Sequence, residues 1–496
     1  MKKSLILLVL LFGVFMFAGC KQNTRTPEGF TVLSVEDIAD KEITIKFVVR
    51  SGVISAALVD LVADFKAVYP KITVDVEALS GNYDLLRSTT MIDINAKQAP
   101  DLVIGYPDHF AEYYAAGALV NLTRFIEDDE VGYTEAEMSD FLETYLKENR
   151  GFNEENPEYI YGLPFNKSTE VLVYNKTFFE ELYGETWETK IPKTWQELET
   201  IGADIITRVA NKEADDIFVQ SIDPITQVKT YLKMSDYVTA DKFIPLGYDS
   251  ADNAFITLTR QFGAAYTERL DVEHGYVRFN NQQAKDAMTY FSGLREDGVF
   301  GTSALYGLDY MSDAFMLIQS VMTIGSSAGV GYNADTKSQF SYELGVAPIP
   351  YYAADKKYVI QQGTNIAMLN QNTDEQKLAA WLFVKFLMQP EQTAQFAMAT
   401  GGYLPVRKSA YETTEYAEYL TNPTDDKVHY SKAANVALND YIDQEYIFFV
   451  DDAFVGSAAI RSEAGKIFND IMAGEAIEAR IVEAYSTLRP YVEPSN

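Results

Sequence analysis

The chain has 496 residues, 47% hydrophobic and 23% charged, enough to bury more than one core. Asp and Glu outnumber Lys and Arg by 72 to 41, for a formal charge of -31; this argues against a nucleic-acid partner, whose phosphates need clustered cations. With 3 His and 1 Cys there is almost no room for a structural zinc site, an iron–sulfur cluster or a disulfide framework, and no motif calls for a cofactor or a metal.

Residues 1–19 read as a secretory signal: Lys2 and Lys3 precede an apolar stretch over 5–18 that is too short to span a bilayer comfortably. The closing Ala18-Gly19-Cys20 resembles the lipobox of bacterial lipoproteins, in which the cysteine is acylated and becomes the mature N-terminus. Residues 20–42 are polar, carry Pro27 and Gly29, and read as a lipid-anchored tether. No later apolar run is long enough to cross a membrane, so the rest of the chain is expected in water outside the cytoplasm.

From residue 43 strands and helices alternate. The apolar β-branched run 43–49 predicts a strand, helical spacing over 56–69 a helix closed by Pro70, then strand 72–76, helix 83–97, strand 101–104 and helix 110–117. The pattern continues with strand 171–174, helices 195–210, 254–262 and 283–294, strands 321–324, 345–347 and 365–369, and a long helix 374–388. Residues 411–494 show helical spacing and no strand signal. Such alternation predicts an α/β fold with parallel strands and a ligand crevice beyond the C-terminal strand ends.

The strongest enzyme motif is Gly325-Ser326-Ser327-Ala328-Gly329, a G-x-S-x-G elbow after an apolar strand. A hydrolase of that type needs a downstream histidine, and His429 is the one that follows, in a polar loop. A glycine-rich turn presenting backbone N–H groups and hydroxyls to a ligand is the favoured reading, and a carboxylate pair acting on glycosides stays open. No P-loop and no H-E-x-x-H occurs. Tyrosine and phenylalanine are abundant, at 33 and 29 residues, and Tyr83, Tyr106, Phe165, Tyr248 and Tyr403 fall where crevice loops are expected. Aromatic faces pack on sugar rings or glycerol chains while short polar groups fix hydroxyls.

These residues carry a resemblance. Ala99-Pro-Asp-Leu-Val-Ile-Gly-Tyr-Pro-Asp-His109, Gly117-Ala-Leu-Val-Asn-Leu122, Tyr161-Gly-Leu-Pro-Phe-Asn-Lys-Ser-Thr169, Val173-Tyr-Asn-Lys176, Pro192-Lys-Thr-Trp-Gln-Glu-Leu198, Gly345-Val-Ala-Pro348 and Gly402-Tyr-Leu-Pro-Val-Arg-Lys-Ser409 follow the order of family 1 extracellular solute-binding proteins of ABC importers. The resemblance implies a two-lobe, type II periplasmic-binding-protein-like α/β fold whose lobes are discontinuous and hinge-linked. The lobes are expected at 43–165 plus 358–400 and at 166–357 plus 401–496. It implies capture of a solute by a monomer without chemistry, delivery to ABC permease subunits served by a separate ATPase, and a place on the outer face of the cytoplasmic membrane, or in the periplasm of a double-membrane bacterium.

Within the family the glycerol-3-phosphate-binding members are the nearest match, which puts Tyr83, Ser168, Tyr248, Ser327, Gly363 and Tyr403 at the ligand, with Asn166, Ser326 and Tyr106 beside them. Asp108 is more like the sugar-binding members, where a carboxylate accepts from hydroxyls. Where the phosphate binders have an arginine before a late glycine, this chain has Phe454. A phosphate would need Arg50 or Arg461, and Asp108 would repel it. A neutral saccharide is therefore the expected solute, with glycerol phosphate compounds as the alternative.

Overall fold

The computed structural model describes residues 29–239 and 242–494; the signal segment and Cys20 lie outside the described residues. The strands are β1 (Ile43–Arg50), β2 (Ile72–Leu79), β3 (Leu102–Gly105), β4 (Leu163–Asn175), β5 (Phe218–Ile222), β6 (Lys229–Leu232), β7 (Leu246–Tyr248), β8 (Thr267–Arg269), β9 (Gly275–Val277), β10 (Phe300–Thr302), β11 (Met322–Ser326), β12 (Leu344–Ala347), β13 (Tyr358–Met368) and β14 (Ile447–Phe449). Ten of the described strands join in the order β10-β7-β11-β4-β13-β3-β1-β2, with β12 beside β4 and β14 beside β13. β1, β2 and β3 are mutually parallel, as are β7, β10 and β11.

Two expectations are corrected here. The sheet is mixed, because the long strands β4 and β13 run antiparallel to each other and to β11, β12 and β3. The late segment also contributes a strand, β14, which is three residues long and parallel to the start of β13. So short a strand is set by its partner and leaves no periodicity to read.

Local chemistry starts two of the helices where the pattern placed them, whereas those expected from 56, 110 and 254 begin three residues earlier, at Val53, Pro107 and Ala251. Asn82 caps helix Tyr83–Ala96 by accepting from Leu85 N at 2.9 Å, after Gly81 at φ +114. Thr194 and Glu197 form a reciprocal capping box on helix Trp195–Ala210. Trp195 is buried there and donates to Gln261 Oε1 at 2.7 Å.

Burial divides into two large cores. The first gathers residues from Phe30 to Phe165 with the stretch from Ile366 to Val406, and its ring chain runs from Phe47 through Phe383 to Phe65 at 5.9 and 5.0 Å. The second gathers Val171 to Ile360 with Ala433 to Val492, centred on Trp195, Phe291 and Phe300 at 4.9 and 5.3 Å. Each such fully buried large side chain is worth about 1.5–3 kcal/mol. Phe30 stacks on Phe125 at 5.0 Å, so the end of the segment read as tether packs on the first core.

β4 and β13 connect the two cores. Their register shifts between Gly363 and Asn365, where Gly363 has φ +95 and a Cβ would lie 2.0 Å from Asn166 O. Only glycine suits that position. Among the described residues no helix is long and apolar enough to cross a membrane.

Candidate functional site

The ends of parallel strands point at one place. β1 delivers Arg50, β2 leads into Tyr83, β3 into Tyr106, β7 into Asp249, and β11 ends on Ser326, while the β4–β13 crossing adds Ser168, Gln362 and Gly363. These residues enclose a cavity of about 450 Å³ between the two cores, a size typical of small-molecule sites.

One wall is aromatic. Tyr83 and Tyr106 meet edge to face at 5.0 Å, and Tyr403 stacks on Phe396 at 6.4 Å. Burial pushes the Tyr83 phenol up to about 12 and the Tyr106 and Tyr403 phenols further, so all three remain neutral hydroxyls. Arg50 reaches in over the Tyr83 ring at 5.4 Å and donates from Nε to Gly81 O at 2.9 Å. Tyr310 and Tyr332, 52% and 63% exposed, also line the cavity, Tyr310 within hydrogen-bond reach of Arg50, and offer further aromatic faces.

Polar groups complete it. Ser326 Oγ donates to Ser168 Oγ at 3.2 Å, joining β11 to the crossing strand. Asp249 accepts from Met311 N at 2.7 Å, and burial pushes its carboxyl up to about 6. Asp313 lines the same cavity, so the guanidinium of Arg50 shares it with two carboxylates.

Of the residues expected at a ligand, Arg50, Tyr83, Tyr106, Ser168, Ser326, Gly363 and Tyr403 line this cavity together. Asp108 lines a smaller adjoining chamber with Arg461, whose Nε is held by Asp252 at 2.8 Å. Asn166 is fully buried behind the wall, accepting from Thr364 and donating to Tyr83 OH at 3.5 Å; it positions the tyrosine.

Two more expected residues are not brought to the cavity. Tyr248 is 0% exposed and donates to Glu170 Oε2 at 2.5 Å, because alternation along β7 sends it to the helical side and its neighbour Asp249 to the cavity. Ser327 is also 0% exposed, donating to Gly402 O at 3.0 Å and accepting from Thr169 N at 3.4 Å. With its proton committed to a backbone carbonyl, and the His429 ring packed on Tyr430 at 4.2 Å, the elbow lacks the serine–base hydrogen bond that an acyl transferase requires. Phe165 is core, 4.4 Å from Phe396, and Phe454 is buried against Gly275.

Sequence reasoning missed Asp249, Tyr310, Tyr332 and Gln362. Asp249 had a usable signal, since it follows the apolar run Ile244-Pro-Leu-Gly-Tyr248 as Arg50 follows the apolar run 43–49.

The chain and its fold have relatives among known proteins. A family model described as bacterial extracellular solute-binding protein matches residues 60–424. The sn-glycerol-3-phosphate-binding periplasmic protein UgpB of Salmonella typhimurium is 24% identical over 353 residues, 70% of this chain and 71% of that protein. Among solved structures, UgpB from Mycobacterium tuberculosis in complex with glycerophosphocholine superposes with a TM-score of 0.68 at 19% identity, covering 90% of this chain and 98% of that one. The GacH receptor of Streptomyces glaucescens, solved unliganded and with acarbose, gives 0.66 at 16% identity, covering 91% and 99%. A solute-binding protein from Agrobacterium radiobacter in complex with ribitol gives 0.64 at 20% identity, covering 91% and 99%.

Proposed function

Because the chain belongs to the bacterial extracellular solute-binding protein family, we propose that it captures a hydroxyl-rich solute between two lobes and presents it, unaltered, to the permease of an ABC importer. The lobes are residues 43–165 with 358–400 and 166–357 with 401–496, and the protein works as a monomer. Ligand touching both lobes favours the closed form, and that form is what a permease can distinguish. Permease and ATPase are separate chains.

The observation that carries this reading is the composition of the cavity: several tyrosines, paired serines, and two carboxylates, Asp249 and Asp313, against the one guanidinium that lines it among the described residues. Carboxylates and hydroxyls suit a saccharide or polyol, and two of the structural neighbours were solved in complex with acarbose and with ribitol. A specific observation favours a second reading: Arg50 stands over Tyr83 inside the cavity, and the curated relatives are named for sn-glycerol-3-phosphate.

Thermal-shift measurements with maltose, ribitol, glycerol 3-phosphate and glycerophosphocholine, followed by calorimetry, decide between them. Stabilisation by a neutral sugar or polyol is expected, with Tyr332→Ala weakening binding about ten- to thirtyfold through loss of a ring face. Stabilisation by the phosphate compounds alone, abolished by Arg50→Met, would replace the first reading with the second.

Anchoring rests on the lipobox. A single acyl chain holds a protein to a membrane only marginally, so two or more are needed for a lasting tether. Mass spectrometry of the native N-terminus is expected to find Cys20 first and acylated, and Cys20→Ser to release the protein from the membrane fraction. An unmodified Cys20 in membrane-bound protein would remove the anchor from the account.

A further inference from the structure

Beside the main cavity lies a second chamber of about 70 Å³, and the two share Tyr106, Gln362 and Gly363 as a common wall. Tyr266, Asp451 and Arg461 line it from the second core, Asp108 from the first. Part of the charge in and around it is already matched, while Asp108 and Asp452 on its walls have no Lys or Arg ion pair among the described residues. Glu148 is ion-paired with Lys167, Arg260 holds Asp451 Oδ1 at 2.8 Å, and Arg461 holds Asp252 at 2.8 Å.

Hydrogen bonding is not matched. The Tyr266 hydroxyl, Asp451 Oδ2 and Gln362 Oε1 are all buried from solvent and have no hydrogen-bond partner among the described residues. Native interiors leave few such groups, so three on the walls of one small chamber point to an occupant. The inventory says what kind. Asp451 Oδ2 and Gln362 Oε1 need donors, whereas a phenol O–H needs an acceptor; burial, with the charge of Asp451 added, keeps that phenol protonated. A hydroxyl group both donates and accepts. An ammonium cannot accept, and a phosphate dianion cannot donate and would face Asp108 and Asp451.

We propose that this chamber is a second compartment of the binding site and receives a hydroxyl-bearing end of the solute, accepting from Tyr266 and donating to Asp451, while the rest of the molecule passes Gln362 into the main cavity. A water needs roughly 10–15 Å³ of such space, so the chamber suits a hydroxymethyl-sized group and is too small for a sugar ring. The assignment rests on the solute-binding reading, and holds for the glycerol end of a glycerol phosphate as well as for a sugar.

The test is calorimetry of wild type, Tyr266→Phe and Asp451→Asn with maltose, ribitol and glycerol 3-phosphate, with melting curves of each protein without solute. For whichever compound wild type binds, Tyr266→Phe is expected to weaken affinity about five- to twentyfold while the solute-free melting temperature stays equal or rises, since the variant removes a buried unpartnered hydroxyl. An analogue lacking the terminal hydroxyl is expected to bind wild type and Tyr266→Phe alike. Equal binding of the parent compound by wild type and both variants would mean that water fills the chamber, which overturns this assignment and leaves solute binding standing. Failure of wild type to bind any of the three would overturn it together with the reading beneath it.

Discussion

Lys167→Met is expected to lower stability by about 3–5 kcal/mol, and the melting temperature by roughly 3–5 °C in a chain of this length, the cost of stranding a buried charge. Lys167 lies on β4 where it crosses β13, and its side chain is fully buried. Its ammonium is ion-paired with the buried Glu148 and donates to Gly363 O at 3.1 Å, directly under the register shift. Burial drives the ammonium far below its ordinary range, so the carboxylate and carbonyl around it are what make the site tolerable. Removing the lysine leaves Glu148 with Gln361 Nε2 at 3.2 Å as its remaining side-chain donor among the described residues. The double variant Lys167→Met with Glu148→Leu is expected to recover most of the loss, because replacing both members of a buried pair is often neutral. Denaturant and thermal unfolding of the three proteins check this. A single-variant loss under about 1 kcal/mol would show that water reaches the pair.

Between pH 6.5 and pH 8 the wild type is expected to lose on the order of 2 kcal/mol of stability relative to Glu170→Gln. Glu170 is fully buried on β4; burial, only partly countered by hydrogen bonds from Tyr248 and Asn253, pushes its carboxyl up to about 8 from an ordinary 4.5. Between those values the folded chain keeps a proton that the unfolded chain has released. The native state therefore binds more protons, and stability drops as pH rises through the window. Asp249 and Asp101 act in the same direction, but both are raised only to about 6 and are spent by then. Burial holds the His109 and His429 imidazoles below their ordinary 6.5, which acts in the opposite direction and at lower pH. Lys167, its ammonium also lowered by burial, acts in the opposite direction across the interval above 6.5, so Glu170 is read from the difference between the wild-type and Glu170→Gln profiles. Glutamine still accepts from the Tyr248 hydroxyl, so the variant isolates the charge. Equal pH profiles for the two proteins in urea unfolding would show that Glu170 is ionised in the folded state.

Much of the site was legible because strand ends and caps are local. Gly81-Asn82-Tyr83 fixes a turn, a cap and the first helical residue within three positions, so Tyr83 could be placed at the crevice without knowing the fold. The same holds for Arg50, Tyr106 and Ser326, each at or just past the end of a readable apolar strand. Family motifs added Ser168 and Gly363, which have no local signal of their own.

What tertiary structure decided was side and partner. Tyr248 and Asp249 are adjacent, and in a three-residue strand covered on both faces no alternation shows which one looks into the cavity. Ser326 and Ser327 pose the same choice, settled by Gly402 arriving to accept the second hydroxyl. Lys167 reads as an ordinary polar residue until β13 and Glu148 close over it. The chamber beside Tyr106 assembles Asp108, Tyr266, Gln362 and Asp451 from four distant segments. Caps and periodicity are encoded within a turn or two of chain, whereas burial, charge pairing and unmet hydrogen bonds exist only once two cores, built from interleaved segments, have met across β4 and β13.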